Sequence, residues 1–139
     1  MGEKELVVDA KTLFAKAIEQ AAHCVAQVTP EDLAKATPCS DWDLQALLNH
    51  IVYELLWVPE LIKGKTVAEV GNKYQGDVLR SDFHASFKHA ADGATMAVHQ
   101  ADLKATAHLS YGDVAMENYI NEIAGDVLIH AWDVCQALN

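Results

Sequence analysis

Histidine is the residue type whose placement could do chemistry. Seven occur in 139 residues, and two fall where helical spacing brings partners to them. His50 lies beside the apolar face of a helix, with Glu54 one turn later. Near the C-terminus Asp126 and His130 are also four apart, so both side chains leave the same side of their helix. If the two helices are antiparallel or crossing neighbours, His50, Asp126 and His130 meet, with Glu54 close by. Two imidazoles and a carboxylate suit Zn²⁺ or a similar borderline divalent ion, and three protein ligands leave a coordination position open for a reacting molecule. The competing reading is that each histidine is half-buried and satisfied by a neighbour.

The other candidates are explained by simpler roles. Cys39 precedes a helix, where a thiol can become more acidic, but beside Pro38 it reads as a small packed residue. Cys24 and Cys135 sit on apolar faces and read as core. Trp42, Trp57 and Trp132 are placed to fill the core or line a pocket; Tyr53, Trp57 and Trp132 are the pocket candidates beside the histidines. Ser40 reads as a helix cap. His84 and His89 share no face, and His23, His99 and His108 read as surface or hairpin residues. No glycine-rich phosphate loop is present.

These residues need helices to position them. Apolar spacing predicts a first helix from Glu3 to about Val28, ended by Thr29-Pro30-Glu31. A second starts at Ser40, with Asp43 three residues on as in a capping box, and runs through Leu44, Leu47, Leu48, Ile51, Leu55 and Val58. Pro59 should bend it and Gly64 end it. Residues 65–80 form a long connection with one short helix at Val67 to Val70, and a third long helix spans Ser81 to about Gln100. Residues 105–114 suggest a small hairpin or extended loop. The last helix, about Met116 to Leu138, carries Ile120, Ala124, Val127, Ala131, Val134 and Leu138 at alternating spacings of four and three, a bundle seam. The expectation is an all-α four-helix bundle in a single domain.

Charge narrows the partners. Ten basic side chains face twenty acidic ones, and residues 1–70 carry six and eleven, residues 71–139 four and nine. Neither half offers a basic stripe, so nucleic acid and anionic membranes would be bound against the protein's own field. The hydrophobic share of 51% is enough for a core without low-complexity segments, and the apolar run at Leu55 to Ile62 is too short to span a bilayer. Three cysteines cannot all pair within one chain. With no CxxC and no signal-like opening, a reduced cytoplasm is expected.

Separated motifs together resemble one family. Thr37-Pro38-Cys39-Ser40-Asp41-Trp42-Asp43, continuing to Asn49-His50, resembles the "TPC-x-x-WD…L-x-x-H" segment of mycothiol-dependent maleylpyruvate isomerase N-terminal domains, within the DinB-like superfamily. Asp126 to Asp133 is similar to that family's "[DE]-x-x-x-H-x-WD" segment. Glu54-Leu55-Leu56-Trp57, Ala68-Glu69-Val70-Gly71 and Leu109-Ser110-Tyr111-Gly112-Asp113 resemble its actinobacterial-type branch. The resemblance implies a DinB-like four-helix bundle, dimeric with a second copy, and a divalent metal on His50, Asp126 and His130. Zinc is the first choice, with Ni, Fe or Mn as alternatives. It further implies chemistry between a low-molecular-weight thiol and an electrophilic small molecule, as a thiol transferase or isomerase, with Glu54 as a second-shell carboxylate, fourth ligand or general base. Asp126 stands where the isomerase has Glu, and the 139 residues match only that enzyme's first domain; both departures argue against maleylpyruvate isomerisation itself. A binding protein using the same pocket without turnover is the alternative.

Overall fold

In a computed structural model that describes residues 9–139, four long helices form a bundle: α1 (Ala10–Ala26), α2 (Leu44–Ile62), α4 (Phe83–Gln100) and α5 (Met116–Ala137). The short helix α3 (Val67–Val70) lies in the crossover from α2 to α4, and a hairpin of β1 (Thr106–Leu109) and β2 (Gly112–Ala115) joins α4 to α5. Packing is most extensive between α1 and α5 and between α2 and α4; α1 also touches α4, and α2 touches α5. The fold class expected from the apolar spacing is the one observed. The part of the first predicted helix before residue 9, including Leu6, lies outside the described residues.

Each helix starts where the local chemistry allows. Asp9, Asp43 and Asp82 precede α1, α2 and α4, and their carboxylates accept from the backbone N–H of Thr12, Ala46 and Ala85 at 2.8, 2.9 and 3.1 Å. Thr66 and Glu69 make a reciprocal capping box on α3. α5 has no side-chain cap; instead the hairpin's approach supplies carbonyls, with Met116 N–H donating to Ala105 O at 2.7 Å and Glu117 N–H to Leu103 O at 3.1 Å.

One boundary differs from the sequence reading. Asp43, not Ser40, caps α2, because residues 36–43 fold into a loop of their own. The Thr37 hydroxyl reaches the carbonyls of Cys39 and Trp42 at 2.9 and 2.8 Å, and Ala36 pairs with Asp43 across the loop. α2 passes through Pro59 without ending, and Gly64, at φ 93°, follows its last turn as expected.

The core is aliphatic. Leu44, Leu47, Leu48, Ile51 and Leu55 of α2 face Phe14 of α1, Ile120 and Val127 of α5 and the alanines of α4, all essentially sealed from solvent. Truncating any of these leucines to alanine costs about 2–5 kcal/mol by transfer and cavity terms together.

The cysteines correct the expectation of a wholly reduced chain. Cys24 and Cys135 lie in or against the core as predicted, but they are joined in a disulfide between α1 and α5, Cα atoms 5.3 Å apart and 111 residues apart in sequence. The spacing of three cysteines carries no information about which two meet. Cys39 is the free one. Closing so long a loop restricts the unfolded chain by up to about 5 kcal/mol in the chain-entropy model.

The crossover is held to α2 at two points. Asn49 donates to Gly76 O at 3.1 Å and accepts from the N–H groups of Val78 and Leu79, both at 2.9 Å. Glu60, only 5% exposed, receives Lys65 and Lys73 at 2.8 and 2.7 Å and the Tyr74 hydroxyl. Lys65 first, then Lys73 and Tyr74, hold its carboxyl at about 2 against an ordinary value of 4.5.

Two predictions follow from these ties. Denatured but unreduced protein should titrate one thiol per chain rather than three, and reduction should lower the unfolding free energy by about 2–5 kcal/mol in urea titrations; three reactive thiols would refute the pairing. A depressed carboxylate stabilises the fold above its unfolded pKa and loses that contribution as pH falls. Between pH 4.5 and 2, therefore, wild-type stability should fall more steeply than that of Glu60→Gln. Parallel pH profiles would show that Glu60 does not hold the crossover.

Candidate metal centre and cleft

α2 and α5 bring the two singled-out histidines together. His50 and His130 meet edge to face, ring centroids 5.0 Å apart. The reason is local: Leu47 and Ile51 on α2 and Val127 and Ala131 on α5 are buried, so the histidines beside them are carried to the margin of the same helix contact. Their side chains retain 30% and 15% exposure, enough for access from outside.

Glu54 stands between them. Its Oε1 is 2.9 Å from His50 Nε2 and 3.5 Å from His130 Nε2, yet this buried oxygen makes no aligned hydrogen bond. Burial pushes the Glu54 carboxyl up, but His130 and then His50 more than reverse this, to about 2. The contact with Glu54 raises His130 against the opposing effect of burial.

The donor set fits a divalent ion. Ligands about 2.1 Å from a tetrahedral centre lie about 3.4 Å from one another. The His50, Glu54 and His130 ligand atoms all fall within 4.8 Å of each other. An orphaned carboxylate oxygen flanked by two imidazole nitrogens is a place where a cation, rather than a hydrogen bond, is wanted.

Asp126 is close but one step removed. It sits at the rim, next to Glu54, and is not in the trio within 4.8 Å; its partial covering and then the Glu54 charge push its carboxyl up. The structure thus brings His50 and His130 together as expected, puts Glu54 nearest to them, and leaves Asp126 facing Glu54.

Three further residues belong to this centre. Trp42 stacks on His50 at 4.5 Å between ring centroids and approaches His130 at 6.2 Å. Asp133, buried, has Oδ2 3.8 Å from His130 Nδ1, a ring nitrogen that is itself buried without a partner. Cys39 donates its thiol to the same Asp133 oxygen at 3.3 Å. Burial and then Asp133 push that thiol up, so it is not an activated nucleophile. The sequence signal for Asp133 was its place three residues after His130, the other neighbour position on a helix face.

Of the pocket candidates, Tyr53 and Trp57 line a cleft of about 290 Å³ beside the imidazole pair, together with Glu54, Asp126, Tyr119 and the hairpin turn at Tyr111. Trp132 does not: it points outward at 57% exposure, because the seam residues Ala131 and Val134 take the inner side of α5. Among the remaining histidines, His84 is satisfied by the Val28 carbonyl at 2.9 Å and His108 pairs with Asp113 across the hairpin at 2.8 Å. Among the described residues, no helix is long and apolar enough to cross a membrane.

The fold is similar to a solved structure, a crystallised variant of mycothiol-dependent maleylpyruvate isomerase, with a TM-score of 0.73 and 12% identity. The match covers 90% of this chain and 59% of that one, so this chain corresponds to somewhat more than half the length of that enzyme. No curated protein matches it. The family model for the mycothiol maleylpyruvate isomerase N-terminal domain matches residues 14–135, nearly the whole chain. The chain belongs to the mycothiol maleylpyruvate isomerase N-terminal domain family.

Proposed function

We propose that the chain is a metal-dependent enzyme that joins or transfers a low-molecular-weight thiol, mycothiol being the one its family names, to an electrophilic small molecule or isomerises such an adduct. The observation that carries this reading is the convergence of His50 and His130 on the orphaned Glu54 oxygen, beside an open cleft. His50 and His130 would hold the ion with the carboxylates of Glu54 and Asp126. Two carboxylates and two neutral imidazoles match a dication's charge. A bound divalent ion would supply a Lewis acid that favours the thiolate of an incoming thiol at neutral pH.

The surrounding side chains do the positioning. Trp42 lies against His50 and limits its rotation. Asp133 lies behind His130 with Oδ2 3.8 Å from Nδ1, too long for a hydrogen bond as it stands. A small ring rotation would let Nδ1–H donate to it and present Nε2 to the front, the arrangement in which a carboxylate orients a ligating imidazole. Glu54, its side chain 18% exposed, lies between the two imidazoles at this centre. Cleft walls at Tyr53 and Trp57 put an acceptor beside that point. Partnership with a second copy, as the family resemblance implies, is consistent with Ile129 and Trp132, one turn apart on α5 and both exposed.

The test is bound-metal content by elemental analysis of tag-free protein, combined with thiol consumption over a panel of electrophiles. Wild type should hold about one divalent ion per chain, and His50→Ala and His130→Ala should each lower affinity at least about tenfold with helical content unchanged. Asp133→Asn should lower it about 10-fold or more without being a ligand. Metal retained at the wild-type level in His130→Ala would overturn the centre. A loaded protein that consumes no thiol would overturn the enzymatic reading and leave a metal-binding protein.

A further inference from the structure

The cleft beside the imidazole pair is walled largely by aromatic rings and carboxylates, with one buried donor left without a partner, Trp57 Nε1–H. Tyr53 and Trp57 on α2 meet at 6.1 Å between ring centroids in a T-shape, Tyr119 adds a buried ring from α5, and Tyr111 closes the outer side from the hairpin turn. Among the described residues that line it, none is Lys, Arg or His. Glu54 lies on the wall nearest the imidazoles and the exposed Asp126 at the rim beside it, and the reading above assigns both to the metal. Glu122 remains, one helical turn before Asp126, and its charge is met by the Tyr111 hydroxyl alone.

We propose that this cleft takes an apolar organic cation: an ammonium carried on an aromatic or aliphatic body. Ring faces attract an ammonium through their quadrupoles, and the attraction is largest where water is displaced. Glu122 adds a full negative charge on the same wall. With Glu54 and Asp126 offsetting the proposed dication, an anionic molecule of the same shape would still meet Glu122 and find no Lys, Arg or His among the described lining residues to replace its hydration. At longer range the chain's net charge of −10 draws cations toward the cleft and repels anions. As the acceptor in the metal-centre reading, on which that role rests, the cation would also carry an electrophilic carbon on its body; the charge preference of the cleft does not rest on that reading.

Three probes of nearly equal size separate the possibilities: 2-phenylethylammonium, 2-phenylethanol and phenylacetate, titrated by calorimetry at neutral pH. The ammonium should bind wild type at least about tenfold more tightly than phenylacetate, with the alcohol between them, and raising the salt should narrow the gap. Glu122→Gln should shrink the preference to about threefold or less and Glu122→Lys should reverse it. Glu122 is exposed, and both substitutions leave the core untouched. Phenylacetate binding as tightly as the ammonium, no binding by any of the three, or an undiminished preference in Glu122→Gln would overturn the proposal. Metal content of the same samples reads the centre separately. A metal-free wild type that still prefers the ammonium retires the metal reading and supports the cleft; a metal-loaded one without the preference does the reverse.

Discussion

Everything at this site depends on how closely α2 and α5 approach along one edge of the bundle. Two imidazoles from distant parts of the chain meet at 5.0 Å, and neither has a loop to adjust its position. Their separation is set by core residues on either side, Leu47 and Ile51 against Val127 and Ala131, which are packed to crystal-like density and cannot yield by an ångström without opening a void. Rigid helices are the appropriate support for a centre whose ligand distances tolerate errors of only a few tenths of an ångström.

The same helix shows what a structural carboxylate looks like by comparison. Glu54 and Glu60 both lie on α2, both are largely covered, and both are held at about 2. Glu60 is saturated: both oxygens receive aligned donors from Lys65, Lys73 and Tyr74, and the group fastens the crossover. Glu54 has two close imidazole neighbours but leaves a buried oxygen without a directed bond. A buried polar atom left in that state costs more than one in a finished network, and that cost is the feature on which the proposed metal centre rests. Fixed charge without directional closure separates a binding centre from a brace, even where the two carboxylates are held at similar acidity.

Sequence reasoning reached the elements and the imidazole pair because both rest on periodicity. The seam from Ile120 to Val134 fixes which side of α5 faces inward, and that places His130 at its margin. It could not settle the carboxylate. Glu54 and Asp126 each lie four residues from a histidine on its own helix, and only the distance across the helix contact distinguishes them. Trp132 was misplaced for a related reason: a tryptophan beside a seam can turn either way, and Ala131 and Val134 leave no room for it inside. The cap at Asp43 and the Cys24–Cys135 pair depend on a folded loop and on a contact across 111 residues, neither of which has a local signature.

α5 therefore joins the most extensive helix contact of the bundle to the candidate site. On one side Cys135 ties it to α1, its most extensive partner; on the other His130 faces α2 through a smaller contact. Asp133 lies between these two attachments and touches both the His130 ring and the Cys39 thiol of the loop before α2. The smaller contact holds the reactive geometry and the larger one holds the helix. Thus a bundle can keep its overall packing at 12% identity, as the match to the isomerase structure shows, and the same packing leaves the α2–α5 edge and the cleft walls beside it free to vary, because a fold does not by itself set what a site on it does.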